Sequence, residues 1–472
     1  MLARRTALTL ALSLLAGGCA STSPSPAFKD VAHGVEQRSG HRVRWDQNTA
    51  EDGQASRAID ALLARDLTVD SAVQVALLGN PRLHSGFEEL SIAQADLVQA
   101  GLLKNPVFTL GRTAWEEEHI DPNLFLAVEQ DFLDIVTMPM RKRVAASQLE
   151  AAKLEVADQV LKLASEVRSA FFTAQAAEQV LAMRRLVNET AQAAGELARK
   201  QHEAGNINDL DLSSELGLAS QTRLDLKRSE GEAAVAREHL NKVMGVWGAR
   251  TAWRMEPRLP ELPQEEVALE RLESQAIEKR FDVGAARRQV QALGYVLSLA
   301  RTTRWTGIVN VNVEVGRLRD SKRFSFGPSV ALEIPLFDQR QASIARLEAF
   351  HRRADNDLRA LAIDVRSDVR ASRVRVVTAR SVVEEYASVL VPLREAIVKY
   401  SQEQYDAMLL GVYPLLQAKQ NEFATYREYI EALRDYWMAR SDLERAVGVR
   451  LPVAAPSKPK AVAPVVTPHP HP

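Results

Sequence analysis

The sequence predicts an α+β fold built from a duplicated unit, in which each half carries two β-strands and one long antiparallel α-helical hairpin. Three observations predict it: two apolar stripes of helical spacing, two pairs of alternating strands, and an internal repeat. In that repeat, Gly245 matches Gly448 at an offset of 203, and Gly205 matches Gly411 at an offset of 206. Ordered matches at a nearly constant offset indicate duplication.

Two heptad stripes predict the long helices. They start at Val156 and Leu358, an offset of 202, and follow the a/d pattern of a coiled-coil seam. Each helix is expected to run for about 60 residues without an internal proline, which is about 90 Å and too long for an ordinary globular domain. The stripes comprise Val156, Val160, Leu163, Val167, Ala170, Ala174, Ala177, Leu181 and Leu358, Ala362, Val365, Val369, Ser372, Val376, Ala379, Val383.

Each long helix is expected to turn back at a glycine. Gly205 ends the first helix, and Asn208 opens the return helix; Gly411 and Pro414 play these parts in the second half. Glycine suits the position after a helix, whereas Asn, Asp and Pro suit the start of the next one. On this pairing the second turn holds three extra residues, Met408-Leu409-Leu410.

Alternating residues predict two strands in each half. In the second half, one strand runs over 308–316, where valines alternate with Asn310, Asn312 and Glu314, and the next runs over 324–334. The first half holds weaker copies at about 107–115 and 124–129. Period-two alternation indicates strands with one polar and one apolar face, and about 9–11 residues suffice for a tilted membrane strand.

Four strands cannot close a barrel within one chain. Unpaired backbone groups at a sheet edge cannot face lipid, so closure would have to come from other chains. Three chains would supply about twelve strands, which lies in the size range of membrane barrels. A soluble four-stranded sheet is the alternative.

The composition favours no nucleic-acid partner. The 472 residues are 46% hydrophobic and 26% charged with a net charge of -1, and the 6% of aromatic residues disfavour an all-β chain. After the N-terminus, no apolar run reaches the roughly 18 residues that a membrane-spanning helix needs. The chain is expected either to be soluble or to cross a membrane as β-strands.

The N-terminus predicts a bacterial secretory signal that ends in a lipidation site. Two arginines, a short apolar segment and two glycines precede Cys19, which is the only cysteine. This pattern resembles a lipobox, although Ala16 stands where leucine is more usual. Cys19 would become the lipidated first residue, and Ala20 after it resembles the outer-membrane sorting pattern. An ordinary signal peptide with an incidental cysteine is the alternative.

Composition and repeats together divide the chain into segments. The predicted segments are a signal peptide (1–18), a polar, irregular, lipidated tether (19–66), the first repeat (67–248), a linker (249–266), the second repeat (267–448) and a disordered proline-rich tail (449–472).

The order of these elements resembles the TolC-like outer-membrane efflux protein family, including its lipoprotein members, over about residues 67–448. Each half gives a helix, a strand pair and a hairpin, and Phe281 departs from the family pattern, which expects proline there. The resemblance implies an α+β membrane protein, a homotrimer with a 12-stranded outer-membrane β-barrel on a periplasmic α-helical barrel, and no cofactor. It also implies that the hairpin tips dock on a periplasmic adaptor (a membrane fusion protein) that serves an inner-membrane efflux pump in a Gram-negative bacterium.

Candidate functional residues follow from this architecture. Polar strand residues would face the barrel lumen, and aspartates near the tips would form a gate, unless they only favour a helix N-terminus. Two tail histidines would form a weak metal site, unless the tail is simply solvated. The sets are Asn310, Asn312, Glu314, Ser325, Ser329, Glu333 and Glu129 for the lumen; Gly205, Asn208, Gly411 and Pro414 for the tips; Asp209, Asp211 and Asp406 for the gate; and His469 and His471 for metal.

The sequence predicts a passive exit duct and not an enzyme. It holds no phosphate-cradling glycine loop, HExxH or GxSxG motif. Heavy-metal ions, drugs, or proteins in type I secretion are the alternatives for the cargo. A periplasmic adaptor or a scaffold lipoprotein is the alternative of another class, although an adaptor has one hairpin and this chain has two.

Overall fold

Long helices and one four-stranded sheet dominate the chain. The computed structural model describes residues 21–46, 52–113, 123–264, 271–306, 309–317 and 324–452. The elements are α1 (Ser25–Ser39), α2 (Asp52–Leu63), β1 (Asp66–Leu67), α3 (Val69–Gly79), α4 (Pro81–Ala100), β2 (Val107–Thr113), β3 (Asn123–Asp131), α5 (Phe132–Glu203), α6 (Asp209–Met244), a 3-10 turn (Gly248–Thr251), β4 (Arg254–Met255), α7 (Leu272–Lys279), α8 (Phe281–Thr302), β5 (Val309–Arg317), β6 (Phe324–Leu332), α9 (Gln341–Glu385), a π-turn (Tyr386–Leu390), α10 (Val391–Asp406) and α11 (Val412–Val447).

The chain divides into two compact units. None of the described helices is both long enough and apolar enough to span a membrane. The described residues of the sheet unit lie within 21–34, 85–158 and 281–363, and those of the hairpin unit lie within 35–84, 159–280 and 364–452.

The return helices of the two halves have the same length and end at corresponding glycines. Both α6 and α11 have 36 residues. Each ends at a left-handed glycine, Gly245 with φ 75° and Gly448 with φ 80°. A Cβ at Gly245 would lie 2.9 Å from Asn80 Cα, and one at Gly448 would lie 3.2 Å from Arg280 Cα. Both helices therefore end at glycines that allow close approach of another backbone segment.

The coiled-coil stripes form much of the core, as their spacing predicts. Val160 and Val167 in the first stripe and Val365 and Val376 in the second are fully buried. The stripe residues that are small, such as Ala170, let neighbouring helices approach closely.

The expectation of helices without internal proline is wrong in both halves. α5 has 72 residues and contains Pro139 near its start. In the second half the helix runs through a π-turn, Tyr386–Leu390, and continues with Pro392 in the first turn of α10. A proline ring clashes with the carbonyl four residues earlier, here that of Ser388, and the wider π-turn accommodates it.

The expectation of an irregular tether over 19–66 is wrong for two stretches. α1 and α2 lie within it. Ala27, Val31 and Val35 stand four residues apart along α1 and are all buried, so an apolar helical face was present in the sequence. The residues around this stripe are polar, so the composition of the segment does not indicate a helix, although the spacing of its apolar residues does.

The predicted disorder of 449–472 is wrong at its start. Leu451 is buried, and the Arg450 backbone N–H donates to the Arg38 carbonyl at 2.9 Å. Residues 453–472, which hold six of the seven prolines, lie outside the described residues.

A partly buried charged cluster lies beside this segment in the hairpin unit. Arg168 donates to Glu444, and Arg450 Nη2 lies 2.9 Å from Asp70 Oδ2. His41 is buried 3.6 Å from Asp70. Burial lowers the pKa of His41 to about 4; Arg168 and Arg450 also lower it, and Asp70 opposes them. The imidazole is therefore neutral at pH 7 in the folded chain.

Candidate functional site

The four long strands form one antiparallel sheet in the order β2-β3-β5-β6. The central pair joins the two halves of the chain, with Leu126 opposite Val315 and Glu129 opposite Asn312. β2 and β6 are the outer strands, and no described strand pairs with their outer sides. The alternation had predicted the strands but not which of them pair across the halves.

One face of this sheet is apolar and exposed. Residues directly opposite each other share a face, so Leu110, Leu126, Val315 and Phe326 form one row across all four strands. Leu110 is 71% exposed and Phe326 70%, which is unusual for large apolar side chains in a sheet. The apolar face comprises Phe108, Leu110, Leu124, Leu126, Val128, Val309, Val311, Val313, Val315, Phe326, Pro328, Val330 and Leu332.

The other face carries the polar residues that the sequence had singled out. Asn310 Nδ2 donates to the Glu129 carboxylate. Asn312 Oδ1 is buried and has no hydrogen-bond partner among the described residues. Glu333 lies one residue beyond β6, since that strand ends at Leu332. That this face lines a lumen stays a prediction. The strand residues on it are Glu129, Asn310, Asn312, Glu314, Ser325 and Ser329.

An ionic cluster fixes the junction between β3 and α5. Asp131 accepts from Lys104 Nζ at 3.0 Å, and Asp134 lies 3.0 Å from Arg141 Nη2. Asp134 is buried, so its two cationic neighbours offset its desolvation. These residues were not among the predicted site residues, although Phe-Leu-Asp at 132–134 matches Leu-Phe-Asp at 336–338.

The first hairpin tip is a glycine turn with a side-chain cap. Gly205 has φ 78°, and the Asn206 N–H donates to the Gln201 carbonyl at 2.8 Å. Asn208 accepts from the Asp211 N–H at 2.9 Å and caps α6. His202 Nε2 lies 2.8 Å from Asp209 Oδ1. This tip is therefore held by backbone and side-chain hydrogen bonds.

The second tip repeats this backbone, but the predicted pairing of Gly205 with Gly411 is wrong. Met408 takes the left-handed position with φ 58°, and the Leu409 N–H donates to the Gln404 carbonyl at 2.9 Å. Gly411 has φ -74° and is the N-cap of α11. Gly205 therefore matches Met408 at an offset of 203, which is also the offset of the return-helix ends, and the second tip has no insertion.

The second tip exposes more apolar surface than the first, whose exposed large apolar side chain is Leu210 at 74%. Met408 is 94% exposed, Leu409 79% and Tyr413 67%. Pro414 lies in the first turn of α11, where its missing N–H breaks no helical hydrogen bond. Met408, Leu409 and Leu410 were expected to be an insertion; the run Met-Leu-Leu at a hairpin end was the signal that could have identified them as the tip.

The predicted gate aspartates lie at the tips, and their role stays a prediction. Asp209 is paired with His202, and Asp406 accepts from Gln402 Nε2 at 2.8 Å. Further from the tips, burial raises the pKa of Glu215 on α6 and of Glu422 on α11, and Lys419 opposes both shifts. These two carboxylates were not singled out from the sequence.

Several predicted features lie outside the described residues. They are the signal peptide, Cys19, and the histidines His469 and His471. Among the described residues, no group of three or more His, Cys, Asp or Glu side chains is arranged to hold a metal ion.

Comparison with known proteins shows the fold. A membrane protein from Pseudomonas aeruginosa matches with a TM-score of 0.72 at 20% identity, covering 80% of this chain and 92% of that one. CusC matches at 0.70 and 16% identity, covering 81% and 92%, and its structures concern transmembrane channel formation. The outer membrane protein VceC from Vibrio cholerae matches at 0.68 and 16% identity, covering 81% and 96%. No protein-family model and no curated protein sequence matches the chain.

Proposed function

We propose that this chain, whose fold is that of the TolC-like outer-membrane channels, is the channel subunit of a tripartite efflux system. It forms a homotrimer in the outer membrane of a Gram-negative bacterium and acts as a passive exit duct, not as an enzyme. A periplasmic adaptor and an inner-membrane pump deliver the cargo. The observation that carries the proposal is a sheet with one apolar face, one polar face and two outer strands without described neighbours.

Three copies of the sheet would give the backbone N–H and C=O groups of its outer strands hydrogen-bond partners. In hydrocarbon, each unpaired backbone N–H or C=O costs several kcal/mol, so an open sheet edge cannot face lipid. Four strands from each of three copies give about twelve, which is within the range of membrane barrels. β3, β5 and β6 have nine residues each, close to the length that a tilted membrane strand requires.

The two faces of the sheet then contact different surroundings, lipid on one side and water on the other. The apolar face contacts lipid, and its exposure in the single chain supports this assignment. The polar residues line a wet lumen, where Glu129, Asn310, Asn312, Glu314, Ser325 and Ser329 contact water, with Glu333 at the end of the barrel.

The hairpin tips contact the adaptor and close the duct when it is idle. Docking uses Met408, Leu409 and Tyr413, whose exposed apolar surfaces would be buried by a partner. Gly205, Asn208, Gly411 and Pro414 shape the turns beneath them. Asp209, Asp211 and Asp406 contribute acidic rings, because threefold symmetry brings like charges together.

A lipid on Cys19 anchors the mature chain to the outer membrane. α1 begins at Ser25, so residues 19–24 separate the lipidated cysteine from folded structure. Six extended residues span at most roughly 20 Å. This short tether holds the start of α1 close to the membrane surface.

The cargo we propose is a heavy-metal ion, with the histidines His469 and His471 as a weak accessory site. Drugs and type I secreted proteins are the alternative cargoes. A periplasmic adaptor or a scaffold lipoprotein is the alternative role, and the likeness to channel folds over about 80% of the chain favours the duct.

A susceptibility panel on a deletion strain tests the function. The panel contains copper, silver, zinc and cobalt salts beside hydrophobic drugs and dyes, and the complemented strain is the control. Sensitivity to metals alone would support a metal-export duct, and sensitivity to drugs alone a multidrug duct. No change in the panel together with unchanged secreted proteins would contradict the proposal.

Two neighbouring substitutions on β6 test the assignment of the faces. Val330→Arg puts a charge on the apolar face, which at the bilayer midplane costs about 2–4 kcal/mol. Ser329→Arg puts the same charge on the polar face, one residue away. We expect Val330→Arg to lower the amount of trimer in outer-membrane fractions while Ser329→Arg leaves it unchanged. If both variants lowered the amount of trimer equally, the assignment of the apolar face to lipid would be contradicted.

A further inference from the structure

Exposed apolar side chains gather at one end of the sheet, where the strands join the helices. β2 and β5 begin at this end and β3 and β6 finish there, because neighbouring strands are antiparallel. Trp305 precedes β5 and is 64% exposed, and Phe337 follows β6 and is 93% exposed. We call this set the collar; it comprises Leu102, Leu103, Phe132, Ile135, Val136, Trp305, Ile334, Leu336 and Phe337.

The collar continues the apolar face of the sheet. Ile334 extends the alternation of β6 two residues beyond Leu332, and Phe132 directly follows the last residue of β3. All collar residues belong to the sheet unit, and no described helix or strand of that unit covers them. A surface that faces water rarely carries so large a contiguous apolar patch, so a partner of some kind is expected to cover the collar.

Two guanidinium groups lie beside the collar at the junctions of β5 and β6. Arg304 stacks on Trp305, with its Cζ 4.8 Å from the ring centroid, and its Nη2 lies 3.4 Å from Gln339 Oε1. Arg340 Nη1 donates to Thr303 Oγ1 at 2.7 Å. These contacts tie the segment before β5 to the segment after β6. Both arginines stand on the helix side of the collar's aromatic residues.

The start of α5 repeats this order of apolar and then basic residues. Val136 lies near the start of the helix, and the run Arg141-Lys142-Arg143 follows one to two turns later. Lys142 lies beside the end of α4, where a Cβ at Gly101 would be 3.2 Å from Lys142 Cδ. Three of the four junctions therefore pass from apolar to cationic side chains as the chain leaves the sheet. Lys104, at the start of β2, is the exception.

Cationic side chains outnumber carboxylates at this end of the sheet. The junctions 101–106, 131–143, 301–306 and 333–340 hold seven Lys or Arg residues and four Asp or Glu residues. Asp131 and Asp134 have cationic partners within the chain. Among the described residues, no carboxylate forms an ion pair with Lys142, Arg143 or Arg304. The four carboxylates are Asp131, Asp134, Glu333 and Asp338.

This order of side chains matches the layers of a lipid interface. Apolar side chains suit the edge of the hydrocarbon, and tryptophan favours the level of the headgroups. Lys and Arg reach from apolar surroundings towards phosphate groups, and anionic lipids attract them. A second copy of the chain could cover the apolar residues, but it would not require apolar and cationic side chains to follow each other in this order at three junctions.

We propose that the collar binds anionic phospholipids of the periplasmic leaflet of the outer membrane. Trp305 and Phe337 lie at the edge of the hydrocarbon, and Lys142, Arg143 and Arg304 contact the phosphate groups. The inference rests on the proposed function, which puts the sheet in the membrane and the helices in the periplasm. It adds a ligand class, namely phospholipids with a net negative headgroup in preference to zwitterionic ones.

The fluorescence of Trp305 tests the depth of the collar. The full chain is placed in nanodiscs whose lipids carry bromine, which quenches tryptophan on contact, either just below the headgroup or near the chain ends. The chain has six tryptophans, so the signal of Trp305 is the difference between the wild type and Trp305→Phe. We expect the shallow bromine to quench Trp305 more strongly than the deep bromine.

Any other pattern of quenching would overturn the proposal. Quenching only by iodide in the buffer would put Trp305 in water. Stronger quenching by the deep bromine would put it in the hydrocarbon. Protection from all three quenchers would mean that a second copy of the chain covers the collar.

The lipids that the protein retains test the charge preference. The full chain is released by mild detergent from nanodiscs of equal phosphatidylglycerol and phosphatidylcholine, and retained lipids are counted by native mass spectrometry. We expect phosphatidylglycerol to predominate, and less so as salt rises. Lys142→Gln with Arg143→Gln should lower the ratio of the two lipids about fivefold, since a cation near an anionic surface contributes about that factor.

The matched control removes two charges away from the junctions. Arg352→Gln with Arg353→Gln changes an exposed pair on α9, more than ten residues beyond Arg340, and should leave the lipid ratio unchanged. Both pairs are exposed, so thermal unfolding should match the wild type in both variants. A wild-type chain without a preference for phosphatidylglycerol would overturn the proposal, as would a preference that both double variants retain in full.

The oligomeric state in the same spectra distinguishes this inference from the duct proposal. A trimer that retains phosphatidylglycerol through Lys142 and Arg143 supports both proposals. A trimer that retains both lipids equally contradicts the collar alone. A monomer that retains phosphatidylglycerol with the same dependence on these two residues contradicts the duct alone.

Discussion

The two hairpin tips share one backbone and differ in almost every side chain. At the first, Gly205 occupies the left-handed position and Asn208 caps the return helix. At the second, Met408 and Gly411 occupy those positions, 203 residues later. The hydrogen bonds that end the incoming helix are the same at both tips. Backbone hydrogen bonding therefore sets the turn, and the exposed side chains are free to serve different purposes.

At the second tip, a residue with a side chain adopts the left-handed backbone conformation, which costs free energy; the first tip has glycine there and avoids this cost. A residue with a Cβ in the left-handed region costs roughly 1–2 kcal/mol relative to the right-handed region, and glycine does not pay it. Met408 takes this conformation and is almost fully exposed, so no packing within the chain offsets the cost. A partner that covers the apolar second tip would explain why methionine stands there.

The largest expected effect is a loss of resistance when the apolar residues of the second tip are replaced. Replacing Met408 and Leu409 with aspartate should reduce resistance to the level of the deletion strain, because charges would replace the proposed docking surface. Folding should be unaffected, since both side chains are exposed. Resistance assays beside trimer quantification measure this.

The matched control lies at the first tip. Asn206→Asp stands at the position that corresponds to Leu409 and should leave resistance unchanged. If the first-tip variant abolished resistance and the second-tip variant did not, the docking surface would be assigned to the wrong tip.

Acid should destabilise the unit that carries both tips. The pKa of buried His41 is about 4, below its ordinary 6.5, so the unfolded chain binds a proton that the folded chain excludes. Stability is unaffected above pH 6.5 and falls as the pH drops from 6.5 to 4, by about 3 kcal/mol in total. Thermal unfolding at pH 7 and pH 4 measures this loss, and tip comparisons should be made above pH 6.5.

His41→Gln serves as the control for this titration. The variant should lose the part of the pH dependence that lies between pH 6.5 and 4. The charged groups that face His41, namely Asp70, Arg168 and Arg450, remain in place. An unchanged pH profile in the variant would assign the acid sensitivity to another group.

A reciprocal exchange at the left-handed positions should have a smaller effect. Gly205→Ala should destabilise the first tip by about 1 kcal/mol, and Met408→Gly should relieve a similar cost at the second. Hydrogen exchange of the backbone amides at 203–209 and 406–412 measures both. Equal protection in all variants would mean that the two tips do not differ in strain.

The smallest effect concerns the caps. Asn208→Ala should weaken the start of α6 by about 1 kcal/mol, whereas Gly411→Asn should strengthen the start of α11 by a few tenths. Hydrogen exchange in the first turn of each helix reports the difference. A loss of protection on Gly411→Asn would show that the second tip cannot accept a side-chain cap.

The regular parts of the fold could be predicted because period and repeat are local properties of the sequence. Alternation identified β5 and β6 nearly to the residue, and heptad spacing identified the buried seams. The likeness to the folds of CusC and VceC confirms the predicted resemblance at the level of the fold.

The parts that could not be predicted depend on contacts between distant segments. The pairing of β3 with β5 joins residues about 185 positions apart, and no local pattern encodes it. Gly205 was paired with Gly411, and not with Met408, because glycine is the usual residue in a left-handed position. α1 was missed because its apolar stripe, Ala27-Val31-Val35, lies among polar residues.

Native mass spectrometry of the full chain released in mild detergent tests the central claim most directly. We expect a single assembly of three chains, because other copies would pair the outer sides of β2 and β6, which pair with no strand among the described residues. Trimers that persist in Ser329→Arg and are depleted in Val330→Arg would link that assembly to the apolar face. A wild-type chain that remains monomeric at every concentration and in lipid nanodiscs would contradict the account.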